Sequence, residues 1–184
     1  MQTFGTARLL MRPLQPEDES FYCTCYTDPV LMQHIGEPLS HEVASRSFAV
    51  ALKIATEIPI RRYTWVMQDK SLRLDIGLLA LVCAQAKQES THAEIGAIIF
   101  ANFQNLGYAA EAISALVDRA FNKTTLAILR TQHTNNNGAA YGLMEKLGFQ
   151  RDRIQLERSS CSCWLLHRAD WQQRQSSSTQ GDYN

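Results

Sequence analysis

Residues 94–109 read Glu94-Ile-Gly-Ala-Ile-Ile-Phe-Ala-Asn-Phe-Gln-Asn-Leu-Gly-Tyr-Ala109, and their reading decides the fold. The aliphatic and aromatic run Glu94 to Phe100 predicts a strand, and Ala101 to Leu106 a short turn. Gly107 to Phe121 predicts a helix, because Ala110, Ile113, Leu116, Val117 and Phe121 recur at a spacing that gathers them on one face. A helix start presents unpaired backbone N–H groups and the positive end of the helix dipole. A preceding turn of small residues lets a phosphate approach those groups, so the unit can hold a pyrophosphate. Any strand-turn-helix with a glycine satisfies this pattern, and a plain helix start fits it as well.

Upstream, Arg8 to Leu14 is an apolar run closed by Pro13 and predicts a first strand. Pro16-Glu-Asp-Glu19 then opens a helix with acids in its first turn, ending near Asp28-Pro29. A second helix is expected from Ser40, a good N-cap, carrying Val43, Phe48, Leu52 and Ile54 until Pro59 stops it. Tyr63 to Gln68 and Ile76 to Val82 join Glu94 to Phe100 in an antiparallel meander, with polar connections at Asp69 to Asp75 and Lys87 to His92. Downstream come a strand Leu126 to Gln132, a helix Asn137 to Leu147 closed by Gly148 in a left-handed conformation, and strands around Arg151 to Leu156 and Cys161 to His167. Gln172 to Asn184 holds almost no apolar residue and is expected to be a flexible polar tail on a single domain spanning residues 1–171.

Composition bounds the rest. With 184 residues, 45% of them hydrophobic, the chain is long enough to bury one sizeable core. Lys plus Arg (18) balances Asp plus Glu (18), so the overall field favours neither nucleic acid nor an anionic membrane. The adjacent Arg61 and Arg62 read as a solvated turn. The longest apolar stretches, such as Ile76 to Ala84, fall well short of the ~20 residues of a membrane-spanning helix. The N-terminus has no basic start followed by an apolar run and a cleavage site, so the expectation is a soluble, cytoplasmic protein. The five cysteines, arranged as Cys23-Thr-Cys25, Cys83 and Cys161-Ser-Cys163, lack a paired zinc spacing and read as free thiols, with no metal expected. Trp65, Trp164 and Trp171 read as packing aromatics, and His34 as a surface histidine.

Gln104-Asn-Leu-Gly-Tyr-Ala109 resembles the coenzyme-A-binding signature of the GNAT acetyltransferases, in which Gln or Arg is followed by two residues, Gly, one residue, then Gly or Ala. Gly107-Tyr-Ala-Ala-Glu-Ala112 resembles the branch that includes the ribosomal-protein N-terminal acetyltransferases (RimJ/RimL-like). Thr6-Ala-Arg-Leu-Leu-Met-Arg-Pro13 looks like that branch's opening strand, and Asp28-Pro29 like its first helix exit. Asn137 with Glu145-Lys-Leu-Gly-Phe149 looks like its second cofactor motif, and Trp164 to Trp171 like its last strand and terminal tryptophan. These matches keep their order and span residues 6 to 171.

The resemblance implies an α/β fold, a mixed and mostly antiparallel sheet with helices on both faces. It implies that Glu94 to Phe100 and Leu126 to Gln132 splay apart to admit the pantetheine arm of acetyl-CoA, the co-substrate. Backbone groups of Ile98, Ile99 and Phe100 would then pair with the pantetheine. Those of Gln104, Asn105, Leu106, Gly107, Tyr108 and Ala109 would hold the pyrophosphate, and Asn137 would contact the cofactor near its thioether. The reaction needs a neutral amine, a stabilised oxyanion and a proton for the leaving thiolate. Glu94 is the candidate base, acting through a water, with a structural glutamate as the alternative.

Three departures from the family pattern stand out. Met144 occupies the place of a thiolate-protonating tyrosine, Ala140 that of a serine, and Leu106 that of a basic residue; no Lys or Arg falls between Lys87 and Arg119. Tyr141 is the candidate replacement acid, a tyrosine facing the core being the other reading. Three functions fit: acetylation of a protein or peptide N-terminus, acetylation of a small amine such as an amino sugar, polyamine, amino acid or antibiotic, and a catalytically silent CoA-binding module. Monomer and homodimer both stay open.

Overall fold

A computed structural model describes residues 2–56, 61–83, 91–152 and 160–179. Eight strands form one sheet: β1 Phe4–Gly5, β2 Leu9–Pro13, β3 Arg62–Asp69, β4 Leu74–Cys83, β5 His92–Ile99, β6 Ile128–Thr134, β7 Gln150–Arg151 and β8 Cys161–His167. Their order is β1-β2-β3-β4-β5-β6-β8-β7. Every pairing is antiparallel except β5 with β6. The expected meander is thus β3-β4-β5, and among the described residues the sole parallel neighbours are the two strands expected to splay. The part of the last hairpin expected at residues 153–156 lies outside the described residues.

Side-chain alternation gives the sheet two apolar faces. On one, Ala93, Ile95 and Ile99 of β5 join Leu79, Leu81, Leu129, Trp164 and Leu166 beneath α4 (Tyr108–Lys123) and α5 (Gly138–Leu147). Helix α4 buries Tyr108, Ala112, Ile113, Leu116, Val117, Ala120 and Phe121. The predicted stripe therefore holds at four of its five positions, with Ala112 rather than Ala110 at its centre. Burying a side chain the size of Phe121, which is 1% exposed, contributes about 2–3 kcal/mol.

On the other face, Val66, Leu78 and Ile98 meet α1 (Glu19–Thr27) and α3 (His41–Ile54). Ser40 caps α3 as predicted, its Oγ accepting from Val43 N at 3.3 Å. The buried face of α3 is Ala44, Phe48 and Ala51, while Val43 is exposed, because small residues let the helix lie close to its neighbours.

Asp28 ends α1 and also starts a short α2 (Pro29–Met32), its Oδ1 accepting from Val30 N and Leu31 N. The expected flexible tail from Gln172 is instead helical as far as Thr179, in α6 (Arg168–Thr179). Trp171 Nε1 donates to Asp118 Oδ1 at 2.8 Å and pins this helix to α4. Trp65 and Trp164 are buried core aromatics as expected.

Candidate functional site

β5 and β6 pair over three registers, His92 with Ile128, Ala93 with Leu129 and Glu94 with Arg130. Beyond Glu94 the strands part. β5 stays bound to β4 as far as Ile99 opposite Gly77, and β6 stays bound to β8 as far as Thr134 opposite Cys161. The two strands are therefore held by their outer neighbours while their inner edges diverge, leaving a V-shaped gap in mid-sheet between residues 95–99 and 131–134. Gly77 serves this geometry: a Cβ there would overlap the carbonyl oxygen of Ile98.

Of the three residues expected along the gap, Ile98 and Ile99 are buried on opposite faces of the sheet. The N–H of Phe100 donates to Ile76 O at 2.9 Å, so it belongs to the β4 side. Gln104 folds its side-chain amide back onto the end of β5, Nε2 donating to Ile99 O at 2.9 Å. Its own N–H donates to Ala101 O at 3.1 Å, so Gln104 ties the turn to the strand rather than offering its N–H outward as expected.

The turn is a single 3-10 turn, Ala101–Phe103, followed by Asn105 at φ 60° and Gly107 at φ 82°. Two left-handed residues bracketing Leu106 bend the chain sharply into α4, and Gly107 is its N-cap. Left-handed backbone costs most side chains about 1–2 kcal/mol and costs glycine nothing, which accounts for glycine there. Leu106 is 55% exposed, so the loop does not turn into the interior. Behind it, Tyr108 is buried and its hydroxyl donates to Asp69 Oδ2 at 2.6 Å. Asp69 also accepts from Ser71 Oγ, Ser71 N and Leu72 N at the β3-β4 turn. Hydrogen bonds from Ser71, then from Tyr108 and Leu72, hold its carboxyl well below the usual carboxylate range.

A cation reaches this loop from far away in sequence. Arg8, just ahead of β2, donates through Nε to Glu111 Oε2 at 2.6 Å and through Nη1 to Leu106 O at 2.9 Å. Its guanidinium lies over the Tyr108 ring, 4.3 Å from the centroid. Glu111 also accepts from Arg8 N at 2.8 Å and from Thr6 Oγ1. Burial would raise its pKa, but the bonds from Thr6 and Arg8 outweigh burial and hold it below its ordinary value. Arg8 lies in the opening-strand motif, but its partners Leu106 and Glu111 lie about a hundred residues away and nothing local names them.

Glu94 is half-buried, the last β5 residue before the strands part, and shares the α1-α3 face with Gly96 and Ile98. A Cβ built on Gly96 meets nothing within 4 Å, so space lies next to the carboxylate among the described residues. On the same face Arg130 Nε donates to Cys163 Sγ at 2.8 Å. Burial pushes the Cys163 thiol up, so it is held protonated.

On the far side of the gap, Asn137 is the N-cap of α5, its Oδ1 accepting from Ala140 N at 3.0 Å. Tyr141 comes one turn later, 38% exposed, with its ring edge-on to Trp164 at 5.0 Å and the Arg151 guanidinium 5.7 Å away. Met144, one further turn along, is buried in the core. At the end of β6, His34 Nδ1 lies 3.2 Å from Thr134 Oγ1 and joins the loop after α2 to the mouth of the gap. Among the described residues no group of three or more His, Cys, Asp or Glu is placed to hold a metal, and no helix is long and apolar enough to cross a membrane.

A family model described as the acetyltransferase (GNAT) domain matches residues 8–150. The Bacillus subtilis uncharacterized N-acetyltransferase YnaD is 27% identical over 149 residues, covering 80% of this chain and 82% of its own. Among solved structures, a Vibrio cholerae spermidine N-acetyltransferase in complex with CoA and spermine superposes with a TM-score of 0.76 at 19% identity, covering 91% of this chain and 99% of that one. RimL, a ribosomal alpha-N-protein acetyltransferase in complex with coenzyme A, superposes with a TM-score of 0.75 at 12% identity, covering 90% of this chain and 98% of its own. At these identities the two solved structures speak for the fold.

Proposed function

The chain belongs to the GNAT family of acetyl-CoA-dependent N-acetyltransferases, and on that premise we propose that its acceptor is the α-amine of a peptide or protein N-terminus. The observation that carries this reading is the position of Glu94, at the fork where β5 leaves β6. Bound acetyl-CoA supplies the acetyl thioester. The V-shaped gap takes the pantetheine, backbone N–H groups of residues 105–109 take the diphosphate, the N–H of Gln104 being held by Ala101 O, and the Asn137 amide borders the thioether end.

Glu94 draws a proton from the attacking amine through a water in the space over Gly96. The nitrogen then bonds to the acetyl carbon as the carbon–sulfur bond breaks, and Tyr141 returns a proton to the departing thiolate. An α-amine with pKa ≈ 7.7–8.0 is partly neutral near pH 7, whereas a lysine near 10.4 is not. One half-buried carboxylate is a sufficient base for the former.

A second reading, a small-molecule amine as acceptor, draws on the fold shared with the spermidine enzyme. Release of free thiol from acetyl-CoA, measured against panels of N-terminal peptides and of polyamines, amino sugars and amino acids, separates the two. Turnover with peptides alone supports the α-amine reading. Turnover with small amines alone replaces it, and CoA binding without turnover on any amine indicates a silent module. We further propose a cytoplasmic location.

A further inference from the structure

The motif at the α4 start lacks a basic side chain of its own, since Leu106 stands where one would serve, yet a guanidinium is present behind the loop. We infer that Arg8 is a positioning residue for the diphosphate of the acyl donor, acting through the Leu106–Gly107 peptide and through Glu111; this rests on the gap and the α4 loop being the donor site.

Its bonds have two consequences. First, Arg8 Nη1 holds the carbonyl of Leu106 at 2.9 Å. In a planar trans peptide the N–H points opposite to the C=O. Fixing that carbonyl toward Arg8 therefore turns the N–H of Gly107 away from Arg8 and holds it in one orientation for an anion on the opposite side of the peptide. Asn105 and Gly107 both hold left-handed backbone, so without this tether the peptide between them is the part of the loop with the widest freedom to flip.

Second, Glu111 sits in the first turn of α4, where a bare carboxylate would repel a diphosphate at the same helix end. Arg8 and Thr6 turn that charge inward, with Nε at 2.6 Å from Oε2 and Arg8 N at 2.8 Å from Oε1. The Arg8 guanidinium is stacked on Tyr108, whose hydroxyl is in turn fixed by Asp69, so the assembly is braced from the β3-β4 turn. Opening strand, hairpin turn and helix start meet at one guanidinium.

The test compares acetyl-CoA with acetyl-pantetheine, which presents the same thioester without the diphosphate. Calorimetry with CoA and thiol release with both donors are run on the full chain, as wild type, Arg8→Gln and Arg8→Lys. Arg8→Gln is expected to weaken the CoA Kd at least tenfold and to lower the ratio of kcat/KM for acetyl-CoA over acetyl-pantetheine by a similar factor. Arg8→Lys keeps the charge but cannot bridge Glu111 and Leu106 O together, and its Kd is expected between the two.

A merely structural Arg8 lowers both donors in parallel and leaves the ratio unchanged, which overturns the inference. So does an Arg8→Lys chain that matches wild type in Kd and ratio, should Arg8→Gln fail to fold. A wild-type chain that does not bind CoA overturns the donor-site reading, and Arg8's role with it.

Discussion

Glu94 and Arg130 face each other as the last register partners of β5 and β6, and directly beyond them the two strands separate. That pair marks the apex of the gap, and the carboxylate lies on the face that α1 and α3 cover farther along β5. Glu94→Gln keeps the shape and removes the proposed base. We expect kcat/KM to fall about a hundredfold, the scale of a general base, with the CoA Kd unchanged in calorimetry. A variant with full turnover would leave Glu94 a structural residue.

Tyr141→Phe retains the edge-on contact with Trp164 and loses only the hydroxyl. The expected outcome is a fall in kcat of about tenfold or more in steady-state thiol release, against a near-constant CoA affinity. Equal rates would remove Tyr141 from the mechanism and return attention to water as the acid.

Gly107→Glu places a charge and a side chain on a residue at φ 82°, at the loop proposed to hold the diphosphate. The left-handed backbone costs about 1–2 kcal/mol, a loss of several degrees in Tm that a thermal melt will register as a folded protein. CoA binding is expected to disappear from calorimetry. Unchanged affinity would place the diphosphate elsewhere.

Acid should loosen the same region. Asp69 and Glu111 both have pKa values held below their ordinary ones in the folded state. A depressed carboxylate contributes stability that is fully present above its unfolded pKa and is lost as pH falls through the folded one. Tm should therefore be flat with respect to these two groups above about pH 5 and decline below about pH 4. Asp69→Asn should lower Tm near neutral pH and flatten that decline; an unaltered slope would contradict the assignment.

How much of the fold and site is legible in the sequence depends on distance along the chain. The β5-turn-α4 unit is local: strand, turn and helix read directly from residues 94–121, and Gly107 appears where a helix start needs it. The caps at Ser40 and Gly148 are local too, and both hold. Arg8 is not legible as part of the donor site, because nothing in Thr6 to Pro13 announces that its guanidinium will meet Leu106 and Glu111. Helix α2 is hidden because Asp28-Pro29 reads as an exit, although the same Asp28 side chain caps the turn of helix after it. Helix α6 is hidden because its sequence is nearly devoid of apolar residues; its anchor is the indole of Trp171 on Asp118, a tertiary contact.

The gap between β5 and β6, with the loop at the α4 start, is proposed to receive the acyl donor. Amide hydrogen exchange with and without saturating CoA tests it most directly. Slower exchange is expected at residues 95–99 and 105–109, with little change in β2 or β3. Protection that appears elsewhere while these amides exchange as before would contradict it.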